Sequence, residues 1–181
     1  STIIKYPVSS LETDPAAGDL KKHKMGYFYA DREVFQEIQK STGTHGCRNP
    51  MTYILEAADD IAYRTADIED AVKKGCITYG MLDRELQRLN RQSSLQAVQY
   101  FDPWEELKHQ YNKALTRDYR NPEFYAVQNW NTNVQNYLIK CATRGFIRHY
   151  DEIMNGTYEQ DLFFGTYAEG LMKLLGDVAY K

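Results

Sequence analysis

Three polar side chains near the middle of the chain have the spacing of a binding site. Asp59, Tyr63 and Asp67 are four residues apart, so their side chains form one stripe if the segment is an α-helix. Alanines at 57, 58, 62 and 66 leave room for close packing beside this stripe. Two carboxylates around a phenol, on a segment apolar enough to be buried, are costly unless they are paired, hydrogen-bonded or metal-bound. The pattern therefore predicts a functional site on this segment.

A row of basic side chains further along the chain has the same helical spacing. Lys140, Arg144 and Arg148 are also four residues apart. A row of cations can follow a phosphate backbone, so a contact to phosphate or to single-stranded DNA is one interpretation. A solvated helix face is the favoured interpretation, because such rows are common on exposed helices.

Helix signals place both groups of side chains on long helices. Apart from 14–15 in the irregular first segment, Asn or Asp followed by proline occurs at 49–50, 102–103 and 121–122, and an N-cap residue before a proline is typical of a helix start. The first thirty residues look irregular. Helices are predicted from Asp31 to near Gly43, at about 51–74, at about 78–92, from Asp102, from Asn121 to about His149, and at about 160–180.

Apolar residues recur at helical spacing and predict the inward faces of these helices. The expected inward residues are Val34, Phe35, Ile38, Leu82, Leu86, Leu89, Phe124, Val127, Val134, Leu138, Cys141 and Phe146. Trp104 and Trp130 are also interpreted as packing residues rather than base-stacking ones. Alternating strand patterns are nearly absent, so the chain is expected to be all-α and to form one domain over 1–181.

Composition excludes several functional classes. The formal net charge of −3 gives no general reason for nucleic-acid binding. No apolar run approaches the roughly 18–20 residues that a membrane-spanning helix needs, so no membrane partner is expected. The three cysteines form no Cys-x-x-Cys pair, and we interpret them as free thiols in a reducing cytoplasm.

The string from Asn49 to Ala71 closely resembles the signature helix of bacterial dGTP triphosphohydrolases, which belong to the HD-domain phosphohydrolases. Three other segments are similar to the same family: Lys-Tyr-Pro at 5–7, Lys-Met-Gly-Tyr-Phe at 24–28, and a helix and turn over 146–158. The resemblance implies a partial HD-domain-like helical bundle. Within it, 1–30 would be an irregular segment near the phosphates, 50–74 the signature helix and 121–181 the C-terminal helices.

The resemblance also implies roles for individual residues. Asp59 matches the last metal ligand of the family, where a hard carboxylate suits Mg or Mn. Tyr63 matches the tyrosine that lies against the deoxyribose and leaves no space for a 2′-hydroxyl. Asp67 would accept a hydrogen bond from the 3′-hydroxyl, and Lys5 and Tyr6 would contact the triphosphate. Asp60 points about 100° away from Asp59 and is expected to pair with Arg64.

The implied reaction is hydrolysis of a dNTP, with dGTP as the expected substrate, to the deoxynucleoside and tripolyphosphate. In the family, a His and a His-Asp pair complete the metal site, and they precede the Lys-Tyr-Pro turn. None of the four histidines in this chain is followed by Asp. We therefore expect a middle-to-C-terminal portion of a longer enzyme, inactive and without bound metal on its own. No catalytic acid or base is assigned.

Two other functions remain open from the sequence. One is a different HD-family nucleotidase that releases phosphate or pyrophosphate. The other is a non-catalytic helical module for oligomerisation or single-stranded DNA binding. Relatives of this type are commonly homo-oligomers, so a homo-oligomer is expected in either case.

Overall fold

The computed structural model describes residues 3–17, 20–92 and 101–179, and in these residues the protein is all-α, as predicted. Its α-helices are α1 (Arg32–Thr42), α2 (Pro50–Lys73), α3 (Tyr79–Gln92), α4 (Pro103–Thr116), α5 (Pro122–Arg148), α6 (Tyr150–Met154) and α7 (Tyr167–Ala179). Short 3₁₀ turns cover Leu20–Lys22 and Tyr29–Asp31. An isolated bridge between Ser9 and Tyr27 is the β-type pairing found within these described ranges.

The helix starts follow the local signals in the sequence. The Asp102 carboxylate accepts hydrogen bonds from the backbone N–H of Trp104 at 2.8 Å and of Glu105 at 3.2 Å. Pro103 then occupies the first turn of α4, where a missing N–H costs nothing. Helix α1 ends at Gly43, which has a φ of 72°, a conformation that glycine adopts without strain.

Two sequence predictions about the helices are wrong. The last helix begins at Tyr167 rather than near 160, because Gly165 takes a φ of 69° and Thr166 Oγ1 donates to the Phe163 carbonyl at 2.6 Å. Its predicted end at residue 180 lies outside the described residues. A short helix, α6, follows α5; the periodic pattern did not predict it as a separate helix, although the resemblance implied a helix and turn over 146–158. Val34 is 60% exposed, so the inward face of α1 is formed by Phe35, with Ile38 half-buried.

The chain divides into two compact units. The first contains Ser1–Ala57 and Ala142–Leu162, and the second contains Ala58–Cys141 and Phe163–Lys181. In the first unit, the rings of Tyr27 and Phe35 stack with their centroids 4.1 Å apart. The Tyr53 hydroxyl donates to the Tyr158 carbonyl at 2.6 Å. The single-domain assignment of 1–181 stays a prediction.

The second unit has a helical core that the sequence pattern largely predicted. Its buried side chains include Leu82, Leu86, Leu107, Trp130, Val134, Leu138 and Leu171. Helix α3 packs on α4 and on α7. The Trp130 indole donates to the Pro103 carbonyl at 2.7 Å, which satisfies its polar group in the core. None of the helices in the described ranges is both long enough and apolar enough to cross a membrane.

Candidate functional site

The predicted stripe of polar side chains lies on the exposed side of α2, in the second unit. Asp59 is exposed, Asp67 is half-buried, and the Tyr63 side chain is 66% exposed. The expectation that this stripe is buried is therefore wrong. At 100° per residue, Tyr63 lies nearly opposite the buried Ile61 and Thr65, so the helix turns its polar stripe outward. The three side chains are accessible to a ligand in this chain.

The buried side of α2 is held by a polar cluster centred on Thr65. The Thr65 hydroxyl donates to the Ile61 carbonyl at 2.6 Å. From α5, Gln135 Nε2 donates to the Thr65 hydroxyl at 2.7 Å and Asn131 Nδ2 donates to the Thr65 carbonyl at 2.8 Å. Buried hydrogen bonds are directional, so this cluster fixes the rotation of α2 and with it the outward direction of Tyr63.

Arg64 holds the same helix to α7. Its Nη1 donates to the Met172 carbonyl at 2.5 Å, and its Nη2 lies 3.6 Å from the Asp60 carboxylate. The second contact confirms the prediction that Asp60 pairs with Arg64. Arg64 thereby links Asp60 to the backbone of α7.

The described residues do not by themselves form a metal site around Asp59. Across residues 3–17, 20–92 and 101–179, no cluster of three or more His, Cys, Asp or Glu side chains is placed to hold a metal ion. A divalent cation needs several ligands of this kind.

The Lys-Tyr-Pro segment lies in the first unit and runs beside the segment around Gly26. Lys5 and Tyr6 are half-buried. The Gly26 N–H donates to the Val8 carbonyl at 2.9 Å. A Cβ on residue 26 would lie 1.7 Å from the Tyr6 carbonyl oxygen, so only glycine allows the two backbones to approach so closely.

Arg48, which sequence reasoning missed, is a buried charge in the first unit. Its side chain forms an ion pair with Glu56, and its Nε donates to the Lys5 carbonyl at 3.1 Å. Its guanidinium carbon lies 4.6 Å from the Tyr53 ring centroid and 5.8 Å from that of Tyr6. Arg48 directly precedes the segment 49–71 that resembles the family signature. Its partner Lys5 is 43 residues away, so no local sequence pattern predicts the contact between them.

Burial controls the titration of the phenols beside this cluster. Desolvation raises the pKa of Tyr53, an effect that the nearby Arg48 charge partly opposes. Desolvation also raises the pKa of Tyr158 to about 12. Both hydroxyls stay protonated at neutral pH and act as donors; Tyr158 donates to the Asp161 carbonyl at 2.8 Å.

The structure assigns the five predicted site residues to different units. Lys5 and Tyr6 belong to the first unit, whereas Asp59, Tyr63 and Asp67 belong to the second. Within the second unit, the three side chains share one side of α2. Their roles in binding stay predictions.

The row of basic side chains on α5 is exposed along its length. Lys140, Arg144 and Arg148 all have exposed side chains, which agrees with the favoured interpretation of a solvated helix face. The interpretation as a contact to single-stranded DNA stays a prediction.

Comparison with known proteins relates this chain to a group of nucleotide hydrolases. No protein-family model matches the sequence. A deoxyguanosinetriphosphate triphosphohydrolase-like protein of Listeria monocytogenes is 37% identical over 181 residues, covering 99% of this chain and 37% of that protein. A deoxyguanosinetriphosphate triphosphohydrolase of Klebsiella pneumoniae is 31% identical over 186 residues, covering 99% of this chain and 36% of the relative. A similarly named Synechocystis protein is 26% identical over 170 residues. The chain thus spans about a third of the length of these curated relatives.

Proposed function

Since this chain belongs to the deoxyguanosinetriphosphate triphosphohydrolase family along nearly its whole length, we propose that it forms part of an enzyme that hydrolyses dNTPs. The substrate proposed is dGTP, and the products are the deoxynucleoside and tripolyphosphate. Water attacks the α-phosphorus, and the bond to the 5′-oxygen of the sugar breaks.

The residues on the exposed side of α2 would recognise the sugar. The Tyr63 ring would pack against C2′ and exclude a ribose hydroxyl by steric overlap. Asp67, one helical turn further on, would accept a hydrogen bond from the 3′-hydroxyl. In the first unit, the Lys5 ammonium and the Tyr6 phenol would contact triphosphate oxygens.

A divalent metal is proposed for the complete site. Asp59 would contribute one carboxylate, and its other ligands would come from outside the described residues. When bound, such an ion polarises the phosphoryl group and lowers the pKa of water. We propose that the 181 residues alone have no turnover.

The exposure of Tyr63 is the observation that carries this proposal. A tyrosine that is 66% exposed offers most of its apolar ring to a ligand on the outer side of α2. It stands between Asp59 and Asp67 on one side of a helix whose rotation is fixed by Thr65. A deoxyribose, which has one apolar edge and one hydroxyl, matches this stripe.

Product identification tests the proposal. The protein expressed from the complete reading frame is incubated with dGTP and a divalent metal, and the products are separated by ion chromatography. Tripolyphosphate with deoxyguanosine supports the proposal. Phosphate or pyrophosphate would indicate a different nucleotidase, and no hydrolysis of any dNTP would leave the non-catalytic helical module as the better description.

Two further properties are proposed on the same basis. The enzyme is proposed to act in the cytoplasm and to form a homo-oligomer. Sedimentation of the purified protein would test the oligomeric state. Tripolyphosphate release by the 181 residues alone would contradict the proposal that they need further residues for turnover.

A further inference from the structure

Arg48 carries a buried charge, and its contacts offset the free-energy cost of burying it. Its side chain is only 4% exposed, and a buried guanidinium is unfavourable unless charge and hydrogen-bond partners surround it. Glu56 supplies the charge, the Lys5 carbonyl accepts from Nε, and the Tyr53 ring covers one face of the guanidinium. All of these groups belong to the first unit.

The guanidinium links two segments that are distant in sequence. Nε donates to the backbone of Lys5 while Nη2 contacts a carboxylate on the second turn of α2. The planar fork of arginine has fixed donors that point in both directions at once. A lysine at this position would keep the charge, but it has a methylene where arginine has Nε and would lose the bond from that atom to the Lys5 carbonyl.

Gly26 holds the next residues of the same segment. The Tyr6 carbonyl oxygen lies where a Cβ of residue 26 would be, and the Val8 carbonyl accepts from the Gly26 N–H. Arg48 therefore restrains the segment at Lys5, and the Gly26 N–H restrains it at Val8. The backbone of Lys5 and Tyr6 lies at and between these two restraints.

We propose that Arg48 is a positioning residue that fixes the backbone of Lys5 and Tyr6, so that their side chains meet the triphosphate. This inference rests on the proposed function, in which those two side chains contact phosphate oxygens. Arg48 itself is not a phosphate ligand, because Glu56 already neutralises its charge and its side chain is almost fully covered.

Hydrogen–deuterium exchange tests the tether without reference to activity. The protein from the complete reading frame is compared with its Arg48→Lys variant, following a peptide that covers residues 3–10. Exchange of this peptide is expected to accelerate about tenfold, while peptides of α3 stay unchanged. The matched control is Arg88→Lys, which alters an arginine that is 59% exposed and pairs with Glu85 on α3, and it should leave residues 3–10 unaffected.

Kinetics then test the consequence for the substrate. In Arg48→Lys, the KM for dGTP is expected to rise about tenfold with kcat changed less than about threefold. Inhibition by deoxyguanosine, which has no phosphate, should not change. Glu56→Gln distinguishes the two possible roles of Arg48, because it would lower the KM if the guanidinium bound phosphate and raise it if the guanidinium only positions Lys5.

The outcomes separate this inference from the proposed function. Unchanged exchange of residues 3–10 in Arg48→Lys overturns the tether. The positioning role is overturned if Arg48→Lys exchanges faster but loses dGTP binding and deoxyguanosine binding equally. It is also overturned if Glu56→Gln lowers the KM for dGTP. A wild-type protein that hydrolyses no dNTP overturns the proposed function and the phosphate contacts of Lys5 and Tyr6. The exchange experiment then still decides whether Arg48 fixes the backbone of these two residues.

Discussion

The charged cluster around Arg48 and the polar stripe of α2 are built in opposite ways. In the first unit, Arg48 is buried and is surrounded by a carboxylate, a carbonyl and an aromatic ring. In the second unit, Asp59 and Tyr63 are exposed on the outer side of a helix. Burial with complete partners is typical of a group that holds structure, whereas an exposed polar stripe is available to a ligand.

This difference corrects the sequence interpretation of where buried charge occurs. The alanine-rich surroundings of Asp59 suggested burial, but those alanines lie partly on the exposed side of α2. The buried charge is instead at Arg48, before the helix begins. The contrast predicts that substitutions in the first cluster reduce stability and that substitutions in the α2 stripe reduce function alone.

The largest expected effect on stability is that of Arg48→Ala. The substitution leaves Glu56 partly buried without its cation and the Lys5 carbonyl without its donor, and we expect a loss of about 3 kcal/mol in the free energy of unfolding. Urea denaturation followed by tryptophan fluorescence measures it. The control Arg88→Ala removes an arginine that is 59% exposed and pairs with Glu85, and it should cost less than about 1 kcal/mol. Equal losses of unfolding free energy in the two variants would contradict a special structural role of the buried Arg48 cluster.

The Thr65 cluster should contribute less, because it consists of neutral hydrogen bonds. Thr65→Val keeps the shape of the side chain but leaves Gln135 without its acceptor, and we expect a loss of about 1–2 kcal/mol. Thr132→Val is the matched control. Its hydroxyl also donates to a carbonyl one turn earlier, at 3.3 Å, but is exposed, so its cost should stay below about 0.5 kcal/mol.

Alkaline pH should destabilise the protein through its buried phenols. The pKa of Tyr158 and that of Tyr79 are each raised to about 12 from an ordinary value of 10.0, mainly by desolvation. The folded protein therefore keeps these protons when the unfolded chain releases them. Their contribution to stability is complete below pH 10 and is lost between about pH 10 and 12.

Denaturation measured at several pH values checks this prediction. The free energy of unfolding of Tyr158→Phe should fall less steeply between pH 10 and 12 than that of the wild type. Identical slopes would mean that Tyr158 titrates normally in the folded protein.

The smallest effect on stability is expected on the exposed side of α2. Asp59→Asn should change the free energy of unfolding by less than about 0.5 kcal/mol yet lower tripolyphosphate release by at least about a hundredfold. Asp70→Asn, which alters an exposed pair with Lys74 on the same helix, should change neither quantity. A large loss of stability in Asp59→Asn would show that this residue holds structure.

The helices could be predicted from the sequence where the signals are local. Asp102 and Pro103 are adjacent to the helix they start, and Gly43 ends α1 at the predicted place. The start of α7 was misplaced because its preceding turn depends on Gly165 in a left-handed conformation and on a hydroxyl-to-carbonyl bond of Thr166. The free energies of such a turn and of one more helical turn differ little, and the periodicity of apolar residues does not report that difference.

The candidate site was predictable only in part. The spacing of Asp59, Tyr63 and Asp67 gave their common stripe, and the pairing of Asp60 with Arg64 followed from one helical turn. The outward direction of the stripe depends on contacts of Thr65 with residues of α5 about 70 positions later. The role of Arg48 depends on a carbonyl 43 residues earlier. Contacts at such separations leave no periodic signal.

The most direct test of the proposed sugar recognition is the ratio of kcat/KM for dGTP to that for GTP. It is measured with the protein from the complete reading frame and with its Tyr63→Ala variant. We predict that the wild type prefers dGTP and that the variant reduces the ratio by at least about tenfold, with stability unchanged because Tyr63 is exposed. A wild-type ratio near one, or the same ratio in both proteins, would contradict the assignment of the α2 stripe to deoxyribose recognition.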